Sequence, residues 1–392
     1  MKIISGKSID IKFLGFWSFL IWFIFLVSFI PNSILITRGI GYLVWLAIFV
    51  VFAIALAMYV KDLDHFRKLL YIYINSFTII SIAGIVQWLL TLMGFDVLIN
   101  YYFRSGIPRL HGFSYEPSYF STYLFIPWVF HFLLYFSNLS EVKQKVYNRY
   151  ALAILTMVMF LSFSRMGILL IILIIAAKAF LILRAAAIKK TIFLFELRFI
   201  SMAWTFFIIS SLLALVNLKK FLSVFEGLPI LSKYSHSATI RIDDFINTWN
   251  IFIDSPFIGY SLGGIAPAIA KYKGHIEITQ ELVKKTEGMC IFLEVLAASG
   301  IIGFLFFAVF FTKFIWSTKI LKQLSVKKSS DSIYLWISVH RLLIIAWLFQ
   351  LLLLCLNQNI LRNYVWVHIA ILNLSFFVIK DHLKKNECRS TI

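Results

Sequence analysis

Four short stretches of the chain carry residues able to hold an anion or move a proton. The first runs Arg104-Ser-Gly-Ile-Pro-Arg109-Leu-His111-Gly-Phe-Ser-Tyr115-Glu116-Pro-Ser118. Gly106, Pro108, Gly112 and Pro117 forbid a continuous helix there. Two arginines, His111 and Glu116 therefore share irregular backbone; the plainer alternative is a solvated loop with snorkelling arginines. The second stretch, Leu161-Ser-Phe-Ser-Arg165-Met-Gly167, sets an arginine between two apolar runs. An arginine in hydrocarbon costs roughly 2.5–3.5 kcal/mol on insertion scales. It either meets headgroups at a turn or faces a protein cavity as an anion ligand. A planar guanidinium suits a diphosphate because it donates two parallel hydrogen bonds.

The third stretch runs from Ser237 through Arg241 and Asp244 to Pro256 and Gly259. Ile242, Phe245, Ile246, Trp249 and Phe252 or Ile253 recur at helical spacing, with Arg241, Asp244 and Thr248 toward the other side. Ser237 or Thr239 can cap the start, and Pro256 with Gly259 ends the helix. The pattern predicts an amphipathic helix on a membrane surface; the plainer reading of Arg241 is a surface salt bridge with an aspartate. The tail Gly259-Tyr-Ser-Leu-Gly-Gly264 is weak as a phosphate loop, since it lacks the strand and helix that such a loop needs. The fourth stretch opens an apolar run with Thr286-Glu287-Gly-Met289-Cys290 and continues through Glu294 to Gly303. Glu287 stands at its outer end, or caps a helix. Glu294, about two turns deeper, faces protein or a wet cavity. His275 lies upstream.

The elements that must position these residues are transmembrane. Hydrophobic residues make up 61% of the chain and charged residues 14%, against about 25% charged in soluble domains. Soluble multi-domain folds are excluded. A formal charge of +19 would suggest nucleic acid in a soluble protein, but here the basic residues flank apolar runs. A span needs about 20 apolar residues, and about ten such runs occur, near 13–30, 40–60, 69–93, 119–137, 150–163, 166–183, 199–217, 289–312, 333–356 and 364–380. Lysine and arginine clusters mark every second boundary: Lys2, Lys7 and Lys12; Lys61, Arg67 and Lys68; Lys143, Lys145 and Arg149; Arg184, Lys189, Lys190 and Arg198; Lys313, Lys319, Lys322, Lys327 and Lys328; Lys380, Lys384, Lys385 and Arg389. The positive-inside rule makes these faces cytoplasmic and places both termini there. The alternation closes only if the chain turns at Arg165. The expected fold is an all-α polytopic bundle, residues 1–392 as one membrane domain, with an extracytoplasmic loop at 218–288 holding the amphipathic helix. Cys290, Cys355 and Cys388 make no disulfide framework, although Cys290 and Cys355 both fall near the outer face. His131, His368 and Arg341 read as structural pairs or cytoplasmic-edge residues. No metal-ligand spacing occurs, and no metal or other cofactor is expected.

The pieces Arg109-x-x-Gly-x-x-x-Glu-Pro-Ser118, Ser164-Arg-x-Gly167, Arg241 before the helix that ends Ser-Pro-Phe-Ile-Gly-Tyr260, and Ser-Gly-Ile-Ile-Gly303 occur in that order. Together they resemble the O-antigen polymerase and O-antigen ligase family of bacterial membrane glycosyltransferases, over about 105–305. The resemblance implies substrates carried on undecaprenyl diphosphate at the outer face of the inner membrane. It also implies that Arg165 and Arg241 handle the diphosphate. Ligases of the family commonly open the last motif with a His-Asn pair; this chain has Met289-Cys290 there, which favours a polymerase.

On that resemblance the expected reaction joins lipid-linked oligosaccharide repeat units. Arg165 and Arg241 are the expected catalytic arginines, and Glu116, then Glu287, then His275 the expected bases. Arg104, Arg109, His111 and Tyr115 are expected to contact substrate. Expected partners are the undecaprenyl-diphosphate-linked oligosaccharide, membrane lipid and, as an option left open, a chain-length regulator, with no nucleic acid. The expected location is the bacterial inner membrane, with the site facing the periplasm. A ligase that loads lipid A–core is the nearest alternative; a transporter of lipid-linked sugar is an alternative from another class.

Overall fold

The computed structural model describes residues 11–95, 103–104, 107–114, 116–137, 142–189, 236–284, 288–325, 331–355 and 360–389. The expected seventh span at 199–217, Tyr115 and Glu287 lie outside these residues, and Arg104 and Arg165 are described by backbone alone. The chain packs as two compact units, Met1–Tyr71 with Arg241–Ile392, and Ile72–Ile240.

In chain order the helices are α1 (Phe16–Ser28), α2 (Ile36–Tyr59), α3 (Leu63–Leu92), α4 (Pro117–Tyr135), α5 (Val142–Leu161), α6 (Arg165–Lys189), α7 (His236–Asp254), α8 (Ile265–Tyr272), α9 (Gln280–Lys284), α10 (Ile291–Ser325), α11 (Asp331–Cys355) and α12 (Asn363–Arg389). Nine of the ten expected spans have a helix among the described residues, namely α1 to α6 and α10 to α12. Among the described residues, five helices are long and apolar enough to cross a membrane, and the shorter apolar helices Phe16–Ser28, Val146–Leu161 and Gly167–Phe180 accompany them. The protein is a polytopic helical membrane bundle. The hairpin expected at Arg165 is present: α5 ends at Leu161 and α6 starts at Arg165. A two-residue antiparallel pairing, β1 (Phe103–Arg104) with β2 (Ile107–Pro108), closes the first loop.

In the larger unit α1 packs on α10, α2 on α12, and α11 on both α10 and α12. Lipid is as apolar as the helix faces, so close packing and interhelical hydrogen bonds hold the bundle. The packing is aromatic: Trp22 meets Phe307 at 4.8 Å between ring centres, and Phe311 meets Trp347 at 4.8 Å. Polar pairs tie the helices across this core. Trp22 Nε1 donates to Ser299 Oγ at 3.2 Å, and Asn373 Oδ1 accepts the Leu14 N–H at 2.8 Å. His340 lies between Ser317 and Ser375 at 2.7 and 2.6 Å. His368 meets the Leu343 carbonyl at 3.0 Å, the structural role expected of it.

In the smaller unit α4 pairs with α5, and α6 packs on both. Pro117 starts α4 at a position where its missing N–H is no loss. Trp128 Nε1 donates to Thr156 Oγ1 at 2.7 Å, and His131 Nδ1 meets Asn148 Oδ1 at 3.1 Å.

Candidate functional site

The four motif pieces assemble as two pairs, one in each unit. In the smaller unit the first loop clamps the α5–α6 turn. Arg109 Nε donates to the Ser162 carbonyl at 3.0 Å and Nη2 to that of Phe163 at 3.5 Å, while the Leu110 N–H donates to the Leu161 carbonyl at 2.9 Å. The last carbonyls of a helix lack partners within it, and here a guanidinium and a backbone amide supply them. Phe163 takes a left-handed conformation, φ 50°, and the chain re-enters a helix at Arg165. Gly167 lies so close to Ser121 of α4 that a Cβ would overlap its Oγ. The Ser-Arg-x-Gly motif is thus a tight turn seated on α4, with the arginine at the first helical residue. A cation there opposes the helix dipole at a cost of roughly 0.3–1 kcal/mol, and an anion in front of it reverses that sign.

Of the other expected site residues in this unit, His111 is fully buried with Nδ1 against the Ser114 carbonyl at 2.9 Å. Glu116 is half-buried, sits at the N-cap of α4, and accepts from Ser118 Oγ at 2.7 Å. Arg109 is the residue whose observed role was not legible: its Nε and Nη2 donate to the turn that presents Arg165.

In the larger unit the second pair of motifs interlocks backbone to backbone. The N–H groups of Tyr260 and Ser261 donate to the carbonyls of Ala297 and Ala298 at 3.0 and 2.8 Å, and the Ile301 N–H donates to the Pro256 carbonyl at 2.8 Å. Gly300, at φ 58° and ψ −173°, breaks the helical path of α10 there. A Cβ on Gly300 would overlap the Phe257 backbone, and one on Gly259 (φ 69°) would overlap the Ala298 backbone. The glycine-rich tail continues as a single 3-10 turn at Leu262–Gly264. Gly263 there packs against the backbone of Gly39 in α2, where a Cβ would stand 2.5 Å from the Gly39 Cα. Close chain approach, rather than phosphate contact, accounts for these glycines.

Helix α7 is amphipathic as expected. Ile242, Phe245, Ile246, Trp249 and Ile253 are exposed, whereas Thr248 and Ile251 are buried. Thr248 Oγ1 donates to the Asp244 carbonyl at 2.6 Å and accepts the Met289 N–H at 3.1 Å, tying α7 to the start of α10. Asp244 pairs with Lys273 at 3.6 Å. Burial raises the Asp244 carboxyl above its ordinary range, and Lys273 pulls in the opposite direction. Arg241 is half-buried, one turn before Asp244 and on the inward side of the exposed stripe. His275 lies exposed in the turn after α8, its N–H donating to the Ala270 carbonyl at 3.2 Å. Cys290 and Cys355 are both free thiols, each close enough to influence the other.

A small cleft opens where α2 and α10 begin, lined by Arg38, Tyr42, Leu262, Ile265, Ala266, Gly288 and Glu294. Arg38 Nη2 donates to Tyr42 Oη at 2.9 Å, with the guanidinium 5.1 Å from that ring's centre. Its Nε is buried and has no hydrogen-bond partner among the described residues. Glu294 is 6% exposed, and Oε2 accepts the Ile360 N–H at 3.2 Å. Sequence reasoning reached Glu294 and missed Arg38. The signal was an arginine at the outer start of a span with a tyrosine four residues on, a spacing that places both on one helix face.

Residues 150–308 match the sequence model of a family described as O-antigen ligase. That stretch takes in the Arg165 turn, Arg241 and the interlock of 256–261 with 297–301. The match bears out the resemblance read from the motifs, to the O-antigen ligase and polymerase family of glycosyltransferase-like membrane enzymes, and does not separate its two activities. No curated protein and no solved structure matches the chain.

Proposed function

We propose that the protein is a surface-polysaccharide polymerase that joins undecaprenyl-diphosphate-linked repeat units at the periplasmic face of the inner membrane. The observation that carries this reading is the family match over 150–308, combined with Met289-Cys290 in place of the His-Asn pair with which ligases of the family commonly open α10. A sugar hydroxyl of one lipid-linked unit attacks the anomeric carbon of the other chain. The new bond is from that oxygen to the anomeric carbon. The bond broken is from the anomeric carbon to diphosphate oxygen, and the lipid diphosphate leaves with the electron pair. Arg165 and Arg241 meet the charge that grows on the diphosphate; losing one such donor costs roughly 10²–10³ in rate. A side-chain base takes the hydroxyl proton, with Glu116 the first choice, Glu287 the second and the His275 imidazole the third. Arg109 supports Arg165 through the turn that it clamps, and Arg104, His111 and Tyr115 line the same loop. Both termini lie in the cytoplasm on this reading, and the exposed apolar stripe of α7 lies in the outer leaflet.

The family description itself favours a second reading, a ligase that transfers finished glycan to lipid A–core. Deleting the gene in its host and resolving the surface polysaccharide on a gel separates the two. Core carrying a single repeat unit, with the ladder lost, supports the polymerase. Bare core with polymer left on the lipid carrier supports the ligase, and an unchanged ladder rejects both. In complementation, Arg165→Ala and Arg241→Ala should abolish polymer while the protein still inserts; wild-type chain length in both would sink the diphosphate site.

A further inference from the structure

We propose that the cleft between the starts of α2 and α10 is a sugar-hydroxyl subsite, in which Arg38 donates and Glu294 accepts. The inference rests on the glycosyl-transfer reading and names a part of the site outside the arginines already assigned. Three observations support it. Arg38 brings a donor, Nε, that is buried and unpartnered among the described residues, and a buried unmade hydrogen bond is costly enough that a ligand contact is favoured. Glu294, nine-tenths buried, lines the same cleft, held in place at Oε2 by the Ile360 N–H. The remaining lining, Tyr42, Leu262, Ile265 and Ala266, is largely apolar.

The charge pairing decides the ligand class. A diphosphate would gain from Arg38 but would be set against the Glu294 carboxylate. A sugar hydroxyl suits both groups at once, because it donates one hydrogen bond to a carboxylate and accepts another from a guanidinium. The cleft's volume of about 20 Å³ admits a single hydroxyl-sized group rather than a whole ring. Gly288 keeps the space open: a Cβ there would stand 3.1 Å from Glu294 Oε1 and 3.4 Å from Ile265 Cγ2. The interlocked segment 256–261 delivers Leu262 to the cleft, which gives that structural feature a bearing on the ligand.

The test is equilibrium binding to the full-length protein in lipid nanodiscs. One probe is the repeat-unit oligosaccharide released by mild acid from the host's own surface polysaccharide; the other is inorganic pyrophosphate. Three variants are compared with wild type: Arg38→Gln, Glu294→Gln, which keeps an acceptor for the Ile360 N–H, and Gly288→Ala, which narrows the cleft without altering charge. Thermal unfolding checks that each is folded. Oligosaccharide binding weakened roughly 10–100-fold in Arg38→Gln and Glu294→Gln, the range of a charge-assisted hydrogen bond, and also weakened in Gly288→Ala, with pyrophosphate binding unchanged, supports the subsite. Wild-type binding of the sugar that survives in all three folded variants overturns it. So does a pattern in which Arg38→Gln weakens pyrophosphate binding and Glu294→Gln strengthens it, since the cleft would then be an anion site. Failure of the wild-type protein to bind the oligosaccharide at all counts against the glycosyl-transfer reading, and the subsite falls with it.

Discussion

Replacing Gly300 with alanine should unfold the interlock on which the larger unit's motifs depend. Gly300 sits at φ 58° and ψ −173°, a conformation nearly restricted to glycine that costs other residues about 1–3 kcal/mol. The added Cβ also overlaps the Phe257 backbone, so segment 256–261 must move away. Its three backbone hydrogen bonds to α10, at 2.8–3.0 Å, contribute about 0.5–1.5 kcal/mol each. Strain and lost bonds together reach roughly 3–7 kcal/mol. Gly274→Ala is the matched control: its φ is 84°, and nothing lies within 4 Å of an added Cβ, so it pays only the left-handed penalty of about 1–2 kcal/mol. Thermal unfolding of the two variants in detergent, followed by size-exclusion chromatography of the surviving fraction, compares them directly. Gly300→Ala should melt well below Gly274→Ala. Equal midpoints would refute the claim that backbone contact, rather than local conformation alone, requires glycine at position 300.

Arg165→Lys should impair polymer synthesis, since lysine cannot supply the planar fork; full activity would reduce the role of Arg165 to bulk charge. Glu116→Gln should slow turnover sharply if Glu116 is the base, and near-normal turnover removes it from that role. Arg109→Ala should destabilise the α5–α6 turn by roughly 1.5–3 kcal/mol, the worth of hydrogen bonds from a charged donor, which a shifted unfolding midpoint would show; an unshifted midpoint would mean that the clamp contributes nothing. Copper-phenanthroline treatment should join Cys290 to Cys355 within one chain, losing two hydrogens by mass and leaving a Cys290→Ser variant untouched. Failure to cross-link would contradict the observed approach of α10's start to the end of α11.

The helices were legible because membrane spans advertise themselves by apolar length, and the turn at Arg165 followed from charge alternation alone. The face of α7 was equally plain: the residues at helical spacing, from Ile242 to Ile253, are those found exposed. The glycines were harder to read. Gly259 and Gly300 lie far apart in sequence, and nothing local says that each makes room for the other's backbone; a glycine-rich tail looks the same whether it wraps a phosphate or a helix. Arg109 was hard to read for a related reason. An arginine in an outer loop suggests a ligand, but helix-end carbonyls are anion-like acceptors too, and Ser162 and Phe163 were nearest. Arg38 stands at the start of a span, where a lone basic residue gives no local sign of a site. Its neighbours in the cleft come from three distant segments, which periodicity within one helix does not register.

The interlock also bears on how such chains can recombine. Segments 256–261 and 297–301 fit each other through backbone shape, so their compatibility does not depend on any single side chain that selection could adjust cheaply. A crossover falling in the intervening helices α8 or α9 would join a loop from one parent to a broken helix from another, with two half-fits in place of one. Chimeras that exchange 256–303 as a block keep both halves together. The stretch should therefore be inherited whole, with sequence drift tolerated in α8 and α9 and crossovers confined to its borders.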